Sequence, residues 1–327
     1  MRTASLLIVV LAFSVVWCST APATWPHDPT LSLNICDEAG NQSDQQIIED
    51  GKGGWIIVWC DYRYTDGRIY AQRLSSTGDV LWTTDGVVIC SAAYNQTEPK
   101  LVSDGLGGAI IAWRDARTGS DYDIYAQRVD STGSTLWTTN GVAVCTAGLY
   151  ESGMEMCTDG AGGAILVWYD ARNTYDYDIY AQRIDGSGSV QWAAAGVAVC
   201  TATGDQYYPK PVSDGSSGAF VVWTDYRNGG ADVYAGRINS SGGDAWGGQL
   251  NLCNDANAQY VGGVAPDGFG GVIVTWRDLR SAPGDIYAQS FESNGAQSWT
   301  ANGLPVCQAA TEETNPVVIG DGEGGAI

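Results

Sequence analysis

Histidine is almost missing from this sequence. His27 is the single copy in 327 residues, and no Cys-x-x-Cys pair accompanies it, so the usual zinc donor sets cannot be assembled. Lysine is nearly as scarce. Three lysines and thirteen arginines face 37 acidic residues, for a net charge of −21. Phosphate backbones and anionic membrane surfaces are bound through basic patches, so the charge argues against nucleic acid and lipid headgroups as partners. No stretch keeps a sustained 3.6-residue apolar period, which leaves little room for helix. Beyond the first residues no apolar run is long enough to cross a bilayer, so no membrane insertion is expected.

The abundant residues point elsewhere. Forty-three glycines and thirteen tryptophans suit tight turns and packed strands, a composition that leans all-β. Arg2, the apolar run from Leu6 to Trp17 and the small-x-small site Ala21-Pro22-Ala23 read as a secretory leader. Residues 1–23 are therefore expected to be a signal peptide, with a secreted or cell-surface protein occupying 24–327.

That remainder repeats. Asp104-Gly105-Leu106-Gly107-Gly108-Ala109-Ile110-Ile111-Ala112-Trp113 has counterparts starting at Asp50, Asp159, Asp214, Asp267 and Asp321, at intervals of 54, 55, 55, 53 and 54 residues. Such a period marks a propeller or solenoid. One unit reads as four strands: Pro99 to Ser103, Ala109 to Asp115, Asp123 to Asp130, and Thr135 to Cys145 with a break at Asn140-Gly141. The second strands, such as Ala164-Ile165-Leu166-Val167-Trp168, are apolar without alternation, so sheets stacked on both of their faces are expected. Four strands in about 54 residues fit a propeller blade better than a solenoid coil. The sixth copy stops after seven residues, at Ile327. Leu31 to Cys36 matches the close of a fourth strand. Together they predict a six-bladed ring closed by strands from both ends, once about 20 further residues complete the last copy.

Six cysteines share one repeat position: Cys36, Cys90, Cys145, Cys200, Cys253 and Cys307. Equivalent positions on neighbouring blades lie too far apart to bridge, so these side chains are expected to pack as small apolar groups. Cys60 and Cys157 stand outside the pattern. Each could pair with a repeat-phase cysteine in an oxidising compartment, with a connectivity that sequence leaves open.

The strongest polar motif is Trp-x-Asp-x-Arg at the end of each second strand. It supplies Asp61 and Arg63, Asp115 and Arg117, Asp170 and Arg172, Asp225 and Arg227, and Asp278 and Arg280. These residues could grip a polar ligand, or tie each loop to its strand as one ion pair per blade. A catalytic set needs residues with different roles and so breaks repeat symmetry; this set keeps it. The loops that follow vary and are better suited to binding. They carry Asp121-Tyr122-Asp123 and Tyr175-Asp176-Tyr177-Asp178, in which Tyr122 and Tyr177 could stack on sugar rings. Carboxylates two residues apart can ligate calcium, although no complete calcium loop is spelled out. No other cofactor is indicated. Glu151, Glu155, Glu312 and Glu313 fall near blade boundaries and are expected in exposed loops.

The segment from Asp123 through Asp130-Ser131-Thr132-Gly133 to Trp137 resembles the Asp-box repeat of bacterial sialidase-like propellers, with Asp and Trp each one residue further from Gly than usual. The same hairpin is similar to one in quinoprotein propellers. The resemblance implies a propeller. It also implies an arginine triad, a tyrosine–glutamate pair and a separate acid if the activity were kept, and no such set can be placed. Three functions follow as expectations: a non-catalytic module that binds glycan or extracellular protein, a sialidase-like glycoside hydrolase, or a passive spacer in a larger exported protein.

Overall fold

The computed structural model describes residues 33–327, apart from 120, 148–149, 173–175 and 282. The expected leader, Cys18, the start of the mature chain near Thr24 and Tyr175 lie outside the described residues.

Among the described residues, twenty strands form five antiparallel four-stranded sheets, each built from consecutive strands in simple meander order. In the second sheet these are Gln96–Ser103, Ala109–Asp115, Asp123–Val129 and Val142–Cys145. The second strand falls where the sequence places it. The first starts earlier than expected, because it continues past a bulge between Thr97 and Lys100. The fourth is short, and its early part is reduced to a single bridge between Val129 and Thr135.

The sheets are blades. Apolar layers lie between successive sheets, one for each neighbouring pair. In the second sheet Ala109, Ile111 and Trp113 face the first blade, whereas Ile110 and Ala112 face the third. Burial on both faces is why these strands lack alternation. The first strands of neighbouring blades pack on each other and form the inner wall of a five-bladed propeller.

Among the described residues no sixth sheet is formed. The last copy supplies one bridge, Gly320 to Ala326, and a loop in which Asp321 accepts from Glu323 and Gly325 N–H groups. Seven residues cannot provide the second to fourth strands. Residues 33–36 form no strand either.

Two sets of contacts tie each blade to the next. At the periphery, the hairpin tryptophan donates to a carbonyl of the following blade: Trp82 to Ser131, Trp137 to Gly186, Trp192 to Ser240 and Trp246 to Ser293. Each of these rings lies under a hairpin glycine of that blade. A Cβ on Gly188 would sit 2.8 Å from the Trp137 ring. The other set is described below.

Candidate functional site

The five Trp-x-Asp-x-Arg motifs make one repeated clasp. Asp61, Asp115, Asp170, Asp225 and Asp278 are fully buried. In each, one carboxylate oxygen accepts the indole N–H of the motif tryptophan at 2.7–2.8 Å. The same carboxylate takes the guanidinium of Arg63, Arg117, Arg172, Arg227 or Arg280 at 2.5–2.8 Å. Burial opposes the charge on Asp61 and Asp278. Hydrogen bonds from Arg63 and Trp59, and from Arg280 and Trp276, nevertheless hold both carboxyls below the usual carboxylate range. Every arginine also stacks on a tyrosine of its own blade, for example Arg117 over Tyr125 at 3.5 Å. The structure thus spreads these ten residues over five blades, each pair consumed by its neighbours.

The repeat-phase cysteines belong to the clasp. They are expected to pack as small apolar groups, yet Cys36, Cys90, Cys145, Cys200 and Cys253 each touch the polar centre of the blade that follows. Arg117 Nη2 lies 3.6 Å from Cys90 Sγ, and Arg227 Nη2 lies 3.1 Å from Cys200 Sγ. Burial pushes the Cys90 thiol up to about 12, so it stays protonated beside a carboxylate. Cys307 is exposed. All eight cysteines in the described residues are free thiols, and Cys60 donates to the Gln96 carbonyl at 3.0 Å rather than bridging.

Symmetry breaks on blades three to five, at the same end as the clasps. Tyr169, Tyr177, Tyr207, Tyr208 and Tyr226 form a continuous cluster. Tyr169 meets Tyr177 and Tyr207 edge-on, with centroids 5.4 and 5.2 Å apart, and Tyr207 touches Tyr208 and Tyr226 at 5.9 Å. The cluster takes in Tyr177 from the sequence-predicted loop. Tyr122 lies apart, stacked beneath Arg114 at 4.5 Å. Tyr169 and Tyr208 come from strand positions that hold no tyrosine in the sister blades, whereas Tyr207 has a counterpart in Tyr260 and Tyr226 in Tyr62. Tyr169 stands where Arg114 and Thr224 do, and Tyr207 where Thr97 does. A bulge turns Tyr208 outward with φ of 55°, leaving it 55% exposed. Burial and a hydrogen bond to Asp205 push the Tyr207 phenol up, and burial with Tyr260 does the same for Tyr226. These phenols are neutral hydrogen-bonding rings at neutral pH, suited to stacking and unsuited to taking protons.

Beside the cluster opens a cavity of about 630 Å³. Its wall comes from the inner strands of blades three, four and five, from Arg277 on the second strand of blade five and from residues 314–317, and includes Glu155, Tyr208, Lys210 and Tyr260. Lys100 and Lys210 both donate to Glu155 Oε1, at 3.2 and 2.8 Å. Arg277 pairs with Glu312. Glu155 and Glu151 depart from the exposed-loop expectation, whereas Glu312 is an exposed loop residue as expected. Glu155 is a strand residue in an ion-pair network, and Glu151 is fully buried, bonded through one oxygen to Cys145 and Ala147 and with the other unpaired. No group of three or more His, Cys, Asp or Glu side chains among the described residues is placed to hold a metal ion.

No family profile matches this sequence, and none of the curated proteins is recognisably similar to it. The Asp-box family is thus not identified, although Asp130 does cap its hairpin, accepting from the Thr132 and Ser134 N–H groups. Solved structures share the fold. A protein of unknown function from Dyadobacter fermentans is 11% identical with a TM-score of 0.54, over 88% of this chain and 89% of its own. A PL25 ulvan lyase is 9% identical with a TM-score of 0.52, over 87% and 74%. The form of that lyase bound to -[GlcA(1-4)Rha3S]- is 10% identical with the same score, over 82% and 72%. At these identities the likeness is one of fold.

Proposed function

We propose that this protein is an exported glycan-binding propeller without catalysis, and that it binds at the tyrosine-lined cavity of blades three to five. The observation that carries the reading is the tyrosine cluster. Its members Tyr169 and Tyr208 depart from repeat symmetry, it stands beside an open cavity that Tyr208 lines together with Tyr260, and Tyr208 is presented by a strained bulge. Aromatic faces with hydroxyl tips suit the alternating apolar and polar faces of sugar rings. That a polysaccharide lyase shares the fold adds weight, since the cavity has the dimensions of a small-ligand site. Localisation outside the cell rests on the leader-like first residues. The Asp–Arg clasps serve the scaffold in this reading.

The test is a panel of purified polysaccharides in affinity electrophoresis. At least one should retard the protein, and Tyr208→Ala should weaken that binding about tenfold or more, the loss expected of a truncated aromatic anchor. No retardation by any member, or retardation indifferent to Tyr208→Ala, would sink the proposal. Release of new sugar ends during the assay would make the protein an enzyme instead.

A further inference from the structure

Two of the three lysines of the chain, Lys100 and Lys210, meet on a single carboxylate oxygen, that of Glu155. All three residues occupy one repeat position, on the inner strands of blades two, three and four. The same position is Gln46 in the first blade and Gly263 in the fifth. One carboxylate balances one ammonium, so the group carries an excess positive charge at the cavity wall. Arg277, also at the wall, is balanced by Glu312. The side chains of Lys100, Glu155 and Lys210 are 25%, 27% and 32% exposed, accessible yet partly desolvated, with Glu155 and Lys210 at the cavity wall and Lys100 joined to them through Glu155, a setting in which charge acts more strongly than in open water. A protein with net charge −21 that concentrates its rare lysines on one oxygen beside a sugar-sized cavity has built an anion seat.

Building on the glycan reading above, we infer that the ligand is an acidic glycan whose carboxylate or sulfate sits between the Lys100 and Lys210 ammonium groups. Tyr208 and Tyr260 line the cavity where the ring bearing that group would rest. Glu155 holds the two lysines together in the empty site and limits their repulsion. An incoming anion supplies the charge that Glu155 alone does not.

The experiment measures binding of three probes to the full chain: a polyuronate, a sulfated galactan without uronate, and a neutral galactan. Binding of either acidic probe at least about tenfold tighter than the neutral one, weakening as salt rises, is expected. Lys210→Gln should cost about tenfold on the acidic probe, and Lys100→Gln/Glu155→Gln/Lys210→Gln should erase the preference. Lys100→Arg/Lys210→Arg should keep it, which controls for folding. The uronate and sulfate arms identify the anion. Equal binding of the neutral probe, unaffected by the lysine variants, would overturn this inference and leave the glycan reading intact. Binding of none of the three, here and in the wider panel, would overturn both.

Discussion

Glu151→Gln should stabilise this protein. In the sister blades the same position is Gln42, Gln96, Gln206 and Gln259. Three of their amides, those of Gln96, Gln206 and Gln259, donate to loop carbonyls at 2.9 Å or less. Glu151 has no N–H to donate. It is fully buried, one oxygen is unpaired, and its charge faces Asp123, whose carboxyl is pushed up to about 6 by burial and then by Glu151. Removing an unpaired charged oxygen is worth about 1–3 kcal/mol, and an amide donor adds about 1 kcal/mol. Weakening the contacts from Ala147 and Cys145 takes back about 1 kcal/mol. A net gain of about 1–3 kcal/mol corresponds to a rise of about 2–6 °C in the melting temperature at pH 7. Asp123 gives the sign of the pH dependence. Its folded-state pKa is raised, so its ionised form costs stability above about pH 6, and that cost fades as pH falls toward the ordinary carboxylate range. The benefit of Glu151→Gln should therefore shrink between pH 7 and pH 4. Calorimetry at both pH values tests this, and carboxyl NMR should show Asp123 titrating lower in the variant. An unchanged or lower melting temperature at pH 7 would refute the reasoning.

Asp115→Asn should cost about 3 kcal/mol, because it removes the charge from a buried pair and leaves Arg117 beside Cys90 without its counterion. Glu98→Gln, which breaks the exposed pair with Arg114, should cost under about 1 kcal/mol; urea midpoints compare the two, and equal effects would refute the assignment. Gly188→Ala should destabilise by about 1–3 kcal/mol, through its φ of 89° and its approach to Trp137, and should quench or shift tryptophan fluorescence. With a thiol reagent at pH 8, Cys307 should react first in the native protein. Cys90, Cys145 and Cys253, pushed up to about 12 by burial, should react only on unfolding.

The unit of the fold was legible because the repeat is strict where the physics is strict. Trp113 and its counterparts must fill the space between sheets, and Asp115 must satisfy the indole, so these residues recur in phase. Ring size was not legible, since the copies alone do not state how many sheets stand around the axis. The site was partly legible. Tyr177 lies in a variable loop that sequence flags for binding, but Tyr169, Tyr207 and Tyr226 sit at different repeat positions, and adjacency of blades brings them together. Lys100, Glu155 and Lys210 did leave a signal, three charges in phase at intervals of 55 residues, which reading the motifs alone passes over. The cysteines misled because burial was inferred correctly while the polar company they keep was not.

The cysteine and tryptophan ties between blades run one way. Cys90 reaches forward to Asp115 and Arg117, and Trp82 reaches forward to Ser131. Each 54-residue copy thus carries both the plug for its successor and the socket for its predecessor. A duplication of one whole period, cut at any phase, inserts a unit whose two joints already match. Blade number is then a quantity that recombination can change in a single step without redesigning any interface. A nearest-neighbour array of this kind should gain stability with each added copy by one internal term and one joint. The scaffold is in this sense a modular alphabet of one letter, and the tyrosine cavity is where three copies of that letter have been allowed to diverge.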